Sequence, residues 1–326
     1  MATPSRWGEL LGGGSMLHDV VVIGGGAAGL GSALVLARSR RQVVVIDSGA
    51  PRNMAAETTH GFLTRDGATP AELLAAGTTE VLRYGAQSLG GRAVDIAVAD
   101  VGFAVETEAG QVITARSVVV ATGLRDELPG IPGVREQWGK GVLHCPYCHG
   151  YEVRDQPLAV LGGANRAFSV HQASLVRQWS DDVIFFPREI DLSGDERRRL
   201  SARGIRVVEG DIAQIVVRDG ELHGVEVASG QVITRTAVFV GPCFSPRDEL
   251  LTRLRCAVGE DGWVAVDATG RTSVPGVWAA GNVVDSPAQL IHAAAAGSRA
   301  AVAVNHYLLE QDIQSSLALA EVSESW

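Results

Sequence analysis

The sequence predicts an α/β fold of two Rossmann-like domains, the second inserted into the first. Three observations carry this: an apolar strand running into a glycine turn at 19–29, a second such unit opening at Pro157, and the segment GQVIT, which stands before a buried strand at both 110 and 230. In the first unit DVVVI is almost wholly apolar, as a strand covered on both faces must be. It meets GGGAAG, where Gly24, Gly26 and Gly29 have the G-x-G-x-x-G spacing. The first glycine permits the tight turn, the second lets a pyrophosphate approach the backbone, and the third brings the helix close to the strand. An Ala/Leu-rich helix to about Arg38 and a strand at 42–47 follow. Asp47 ends that strand, where an acid accepts hydrogen bonds from a ribose.

The second unit reads LAVLGG, a turn at 164–166, a helix to about Trp179 and the strand DDVIFF at 181–186. The glycine turns are 138 residues apart (Gly24 to Gly162) and the GQVIT segments 120, so the copies share a design and differ in loop length. After Cys243 no third unit begins. VPGVWAAGN at 274–282 and a small-residue helix from about Pro287 to Leu309 are too short for a domain and are expected to complete the first. The expected organisation is a flexible tail at 1–17, in which Met16 is an alternative start, a discontinuous first domain at 18–124 and 251–326, and an inserted domain at 125–250.

Composition fits this plan. With 326 residues, 46% hydrophobic and 20% charged, the chain has material for two cores. Its 28 basic against 37 acidic residues, a net charge of −9, argue against nucleic acid as a partner. No apolar run reaches membrane-spanning length, and residues 1–16 hold no signal-peptide core, so a cytoplasmic protein without a membrane partner is expected.

Four cysteines in so long a chain are not a disulfide framework, but Cys145-Pro-Tyr-Cys148 is a C-x-x-C pair. That spacing suits a redox disulfide or half a zinc site. Zinc needs two further ligands, and His144 and His149 are too close in sequence to the cysteines for unstrained tetrahedral coordination. Cys243 and Cys256 sit singly in apolar surroundings and are expected in the core. No metal is therefore expected, and the pair reads as redox-active. A thiol of ordinary pKa, about 8.5, is only a few per cent thiolate at neutral pH, so exchange gains from a neighbouring base. Imidazole, titrating near 6.5, supplies one. His149 and His144 both qualify, with His292 a weaker candidate and His60 and His171 structural.

The second glycine turn reads Gly162-Gly163-Ala164-Asn165-Arg166-Ala167, with a methyl group at the second required glycine. After its second strand come Phe185, Phe186, Pro187, Arg188 and Glu189, without the clustered basic residues that hold a 2′-phosphate. Arg197–Arg199 read as a solvated helix face. The nucleotide fold is present and its nicotinamide chemistry is damaged.

Gly24–Gly29 with Asp47, VVVATG at 118–123, the cysteine pair and AAGN at 279–282 together resemble the low-molecular-weight thioredoxin reductase family. PRN at 51–53, HGFLTRDG at 60–67 and CPYCHGYE at 145–152 look most like its subgroup of flavin-dependent dithiol oxidases, which close disulfides in natural products of the gliotoxin and holomycin kind. The resemblance implies FAD, with Gly24, Gly26, Ala27, Ala28, Gly29 and Asp47 about its ADP half and Asn53, Ala121, Thr122, Gly123, Gly281, Asn282 and Gln289 near the flavin. It implies Cys145 as the exchanging sulfur, Cys148 as the flavin-facing one, and a homodimer. Two departures stand out. The reductases carry Asp after their second cysteine and Asp after the closing glycine; this chain has His149 and Asn282. The function so implied is oxidation of a small-molecule dithiol, electrons passing through Cys145 and Cys148 to FAD and then to O2. The alternatives are an NADPH-dependent reductase of thioredoxin or a small disulfide, and a flavoprotein redox sensor.

Overall fold

The computed structural model describes residues 16–324, so most of the expected tail lies outside it. Two compact units are present: one takes in the chain up to Arg52, Ala71–Arg125 and Pro246 onward, the other Asn53–Pro70 and Asp126–Ser245. The segment 53–70, expected with the first domain, packs with the second unit.

The first unit opens with β1 (Leu17–Ile23), α1 (Ala27–Arg38) and β2 (Val43–Asp47). β1 and β2 run parallel, Val20 opposite Val43 and Ile23 opposite Ile46. Val20, Val21 and Val22 are fully buried, which is why no polar residue interrupts them. α2 (Pro70–Arg83), β3 (Gln87–Gly90), β4 (Ala93–Val98), β5 (Phe103–Thr107) and β6 (Val112–Val120) follow. The sheet runs β3-β2-β1-β6-β5-β4. β6 has two roles: Val112–Ala115 pair antiparallel with β5 on one side, and Thr114–Val120 pair parallel with β1 on the other.

β7 (Leu124–Glu127) leads to the second unit, which contains β8 (Val142–Leu143), the one-turn helix α3 (Pro146–His149), β9 (Leu158–Leu161), α4 (Arg166–Val176), β10 (Val183–Phe186), α5 (Gly194–Ala202) and β11 (Arg206–Val207). Then come β12 (Ile212–Arg218), β13 (Glu221–Val227), β14 (Val232–Thr234), β15 (Ala237–Val240) and β16 (Cys243–Pro246), which pairs with β7. The parallel sheet is β11-β10-β9-β15-β8, and β12-β13-β14 form an antiparallel sheet. The repeat is thus visible in pairing. β14 and β15 together do what β6 does alone, one meeting an antiparallel neighbour and the other the strand before the glycine turn.

The chain returns through α6 (Glu249–Arg253) and β17 (Val277–Ala279), which pairs parallel with the end of β6, and finishes in α7 (Leu290–Glu324). α7 runs well past the expected Leu309, because no glycine or proline follows to stop it, and its later turns are tied by Asp312 to Arg41 and Arg116. Its alanine-rich stretch packs on α1: Ala293, Ala300 and Ala301 share a core with Ala28, Ala33 and Leu36. Glycines allow the approach. A Cβ on Gly31 would meet the Ala294 carbonyl, and one on Gly297 the Ala28 carbonyl, while Ser32 Oγ donates to the Gly297 carbonyl at 2.9 Å. No helix among the described residues is long and apolar enough to cross a membrane.

Since backbone, not a flexible side chain, faces Gly297, Gly297→Val is expected to lower stability by about 1–3 kcal/mol through overpacking, read as a shifted denaturant midpoint. Unchanged unfolding would contradict the close α1–α7 contact.

Candidate active site

In the first unit a cleft of about 400 Å³ is lined by Gly24, Gly26, Asp47, Pro51, Arg52 and Ala121–Gly123, among others. The three fingerprint glycines differ in what they face. Gly24 has φ 105°, and a Cβ there would strike the Ala121 carbonyl; one on Gly29 would strike the Gly24 carbonyl. Both are required by packing. Gly26 has no neighbour within 4 Å on its Cβ side, so packing does not call for glycine there. It is also the N-cap of α1, with no side-chain cap, leaving the helix's first N–H groups directed at an open cleft. Asp47 accepts from the Gly25 N–H at 2.9 Å through Oδ1 and from the Gly49 N–H at 3.1 Å through Oδ2. Each oxygen keeps a second lone pair for a ribose hydroxyl.

Asn282, in the turn after β17, donates through Nδ2 to the carbonyls of Asp285, Ser286 and Ala288 at 2.9, 3.2 and 3.0 Å, and its Oδ1 lies 3.5 Å from Arg52 Nη1. A carboxylate, which only accepts, could not hold that loop. Gly281 is buried, Gln289 half-buried just before α7, and Asn53 lies in the short helical turn Arg52–Ala55. His292 is exposed on the first turn of α7, and His171 exposed on α4.

In the second unit Cys145 is the N-cap of α3, whose single turn brings Cys145 and Cys148 to the same side. The N–H groups of Cys148 and His149 both donate to the Cys145 carbonyl at 3.1 Å. Both cysteines are half-buried. Gly150 ends the turn because a Cβ there would press on the Pro146 carbonyl and the Trp179 ring. Tyr147 is exposed and meets Trp179 edge-on at 5.9 Å, whereas half-buried Trp138 packs against the core.

The two flanking histidines differ. His144 is stacked on Phe168 at 5.6 Å, with Phe244 edge-on at 5.2 Å, and its Nδ1 is 3.1 Å from the Val240 carbonyl, a donor arrangement. His149 Nδ1 is buried with no hydrogen-bond partner. Burial lowers the His149 pKa from the ordinary 6.5, opposed by the Glu152 carboxylate and the Cys145 carbonyl and helped by nearby His60. That direction favours the neutral imidazole at pH 7. His60 Nε2 lies 3.4 Å from Glu152 Oε1, 92 positions downstream, a pairing that no local pattern reveals.

At the second glycine turn the helix start is engaged. Asn165 caps α4, its Oδ1 accepting from the Phe168 N–H at 3.0 Å, and the Gly163 N–H donates to Ser169 Oγ at 3.0 Å. Arg166 is bound by two nitrogens to Glu196, whose pKa falls to about 2. Arg188 Nη1 donates to the Gly162 carbonyl at 3.0 Å. A cleft of about 300 Å³ remains beside this turn, lined in part by Ala164, Arg188, Glu189 and Cys243. Cys243 is thus exposed and not in the core, since β16 has only β7 beside it, while Cys256 is buried against Thr272.

The model of the family described as pyridine nucleotide-disulphide oxidoreductase matches residues 18–297, spanning both glycine turns and the cysteine pair. The chain belongs to that family. Among oxidoreductases of this kind it is 32% identical to thioredoxin reductase tcpT of Claviceps purpurea, over 82% of this chain and 87% of the other. It is 30% identical to the thioredoxin reductase of Mycolicibacterium smegmatis, over 91% and 98%. The crystal structure of HlmI superposes with a TM-score of 0.91 at 52% identity, covering 95% of this chain and 99% of that one. As a thioredoxin reductase-like member of the pyridine nucleotide-disulphide oxidoreductases the protein is a flavoprotein with FAD as cofactor. The first unit's cleft fits that group: an uncapped helix start, an open face at Gly26 and an acid at the end of β2 are what a dinucleotide requires.

Because nothing in the protein lies against Gly26 and its φ of −76° suits any residue, Gly26→Ala is expected to fold normally yet hold FAD at least about tenfold more weakly, a loss of about 1.4 kcal/mol. Flavin retention on dilution, beside the melting curve of the flavin-free protein, checks both halves.

Proposed function

We propose that the protein is an FAD-dependent dithiol oxidase, closing an intramolecular disulfide in a small-molecule dithiol of the natural-product type and using O2 as final acceptor. The observation that carries this reading is the second glycine turn. Ala164 replaces the one glycine whose place a pyrophosphate needs, and the N–H groups of Gly163 and Phe168 are taken by Ser169 and Asn165. Arg166 is held by Glu196, and Glu189 follows the strand where a 2′-phosphate would need basic residues. These features disfavour NADPH as the electron source. Electrons then enter as thiols.

In the proposed reaction His149 takes the proton of an incoming substrate thiol, and the thiolate attacks Cys145 of the oxidised pair. The second substrate thiol resolves the mixed disulfide, and the cyclic product leaves with Cys145 and Cys148 reduced. His149 is preferred to His144 as the base because its buried Nδ1 has no hydrogen-bond partner, whereas the His144 ring is engaged with Val240. FAD, when bound, supplies the two-electron acceptor that O2 reoxidises to give hydrogen peroxide. Gly24, Gly26 and the N–H groups of Ala27 and Ala28 would seat its pyrophosphate, Asp47 its ribose, and Asn53, Ala121–Gly123, Asn282 and Gln289 its flavin half. By the family resemblance the enzyme acts as a homodimer.

A second reading, an NADPH-dependent disulfide reductase, is favoured by the cleft of about 300 Å³ beside Ala164. One anaerobic experiment separates the two. The oxidised holoenzyme mixed with a small dithiol should bleach, and mixed with NADPH should not; bleaching by NADPH alone would make the protein a reductase.

The base has its own test. Since His149 protonates only below 6.5, bleaching by dithiol should be independent of this group above that pH and fall as the pH drops below it. His149→Asn should slow the reaction on the order of 10²-fold and abolish the acid limb, as stopped-flow absorbance would record.

A further inference from the structure

α4 buries two polar side chains, Ser169 and Gln172, each in a residue only 1% exposed. Ser169 serves the glycine turn. Gln172 serves a different element. Its Nε2 donates to the His144 carbonyl at 2.7 Å and to the Val240 carbonyl at 3.5 Å. Since both acceptors are carbonyls, the amide can face them only with its nitrogen, and Oε1 is left buried with no hydrogen-bond partner. Ala173 and Val176 beside it belong to the apolar core of this unit, so packing alone calls for an aliphatic side chain at 172. A buried amide with one end unsatisfied is unfavourable for stability. What it secures is residue 144.

Phe168 and Gln172, one turn apart on α4, hold His144 at two points: the ring stacks on Phe168 at 5.6 Å, and the carbonyl accepts from Gln172. A third hold is Val240 at the end of β15, whose carbonyl lies 3.1 Å from His144 Nδ1. Residue 144 directly follows β8, which pairs with β15 through Val142 and Leu143. Cys145 comes next and opens α3. That helix is a single turn, too short to fix itself in place. The position of Cys145 is therefore inherited from residue 144 and, at the far end of the turn, from Gly150 against Trp179.

We propose that Gln172 is a positioning residue for Cys145, holding the His144 carbonyl so that Cys145 Sγ meets an incoming thiolate in line with the Cys145–Cys148 bond. The proposal rests on the reading of Cys145 as the exchanging sulfur. In that step a bond forms between the substrate sulfur and Cys145 Sγ while the Cys145–Cys148 bond breaks. The electron pair of the broken bond leaves on Cys148, and the substrate proton goes to the base. Alignment of the attacking and leaving sulfurs governs the rate, and a displaced Cys145 loses it. Gln172 acts through the backbone of residue 144, not on the substrate.

The test uses Gln172→Met and Gln172→Glu in the full-length holoenzyme. Met keeps the length of the side chain and lacks the donor. It also removes the unsatisfied Oε1, so its melting curve should stay near that of the wild type. Anaerobic flavin bleaching by dithiothreitol should slow on the order of tenfold, whereas bleaching by dithionite, which bypasses the cysteines, should keep the wild-type rate. Glu supplies a donor that pH can remove. A buried carboxyl has a raised pKa; protonated, its O–H donates to the His144 carbonyl, and ionised it opposes two carbonyl oxygens. Relative to the wild type at each pH, the Glu variant should be near normal at about pH 6.5 and roughly tenfold slower by about pH 9. The Met variant should show no such limb, which separates it from the titration of His144, of His149 and of the thiols. Wild-type bleaching by dithiothreitol in the Met variant, or Met and Glu variants slowed alike at every pH, would overturn the proposal; if one variant fails to fold, the other decides. If the wild type is bleached by NADPH and not by dithiol, the oxidase reading fails by itself. The placement of Cys145 is then read in the reverse exchange of the reduced enzyme with 2-hydroxyethyl disulfide, where the same slowing and the same pH dependence are required.

Discussion

The constraint on which the rest depends is the fate of the first N–H groups of a helix. They have no partner within the helix, and something must accept from them: a side chain, water or a ligand. This protein carries the same strand–turn–helix unit twice and answers the question differently each time. At α1 no side chain caps the helix and the Cβ face of Gly26 is open. At α4 the protein supplies its own acceptor, Asn165, and binds the first helical arginine to Glu196. One helix start is left for a phosphate and the other is served from within. Either acceptor satisfies those groups, so the same fold accommodates both.

The glycines separate structural demand from ligand demand. Gly162 and Gly163 remain in the second turn because a Cβ on the first would meet the Pro187 carbonyl and one on the second would come within 3.0 Å of the Gly241 carbonyl. The next position, 164, is exposed and bears a methyl group. Its counterpart Gly26 is equally unconstrained by the protein, yet is glycine. A residue that packing does not require, in a turn where packing explains its neighbours, points to something outside the chain.

Much of this was legible in the sequence, for reasons that differ by residue. The apolar run of β1, the glycine spacing and the terminal Asp47 are local signals, and so is the C-x-x-C pair, whose three-residue step equals one helical turn. The cap at Asn165 was also in reach: Asn three residues before Phe168 is an ordinary helix start. The length of α7 could be read from the absence of a stop signal after Leu309. Other features could not be read. β16 exposes Cys243 because of what does not flank it, and the pairing of His60 with Glu152 depends on a loop fold far from the cysteines in sequence. The different surroundings of the two histidines could not be read either, since only the folded second unit brings Val240, Phe168 and Phe244 to the His144 ring.

The residue after the second cysteine shows how charge and direction of reaction are linked. A carboxylate is ionised at neutral pH and must be protonated before it can act as an acid. A buried imidazole is neutral at the same pH and ready to accept a proton from a thiol. Burial holds His149 in that form, and the environment only partly offsets it: Glu152 and the Cys145 carbonyl favour the charged ring, His60 opposes it. The balance matters in both directions. Glu152 and His60 thus pull the His149 imidazole in opposite directions, and burial outweighs both favouring contributions.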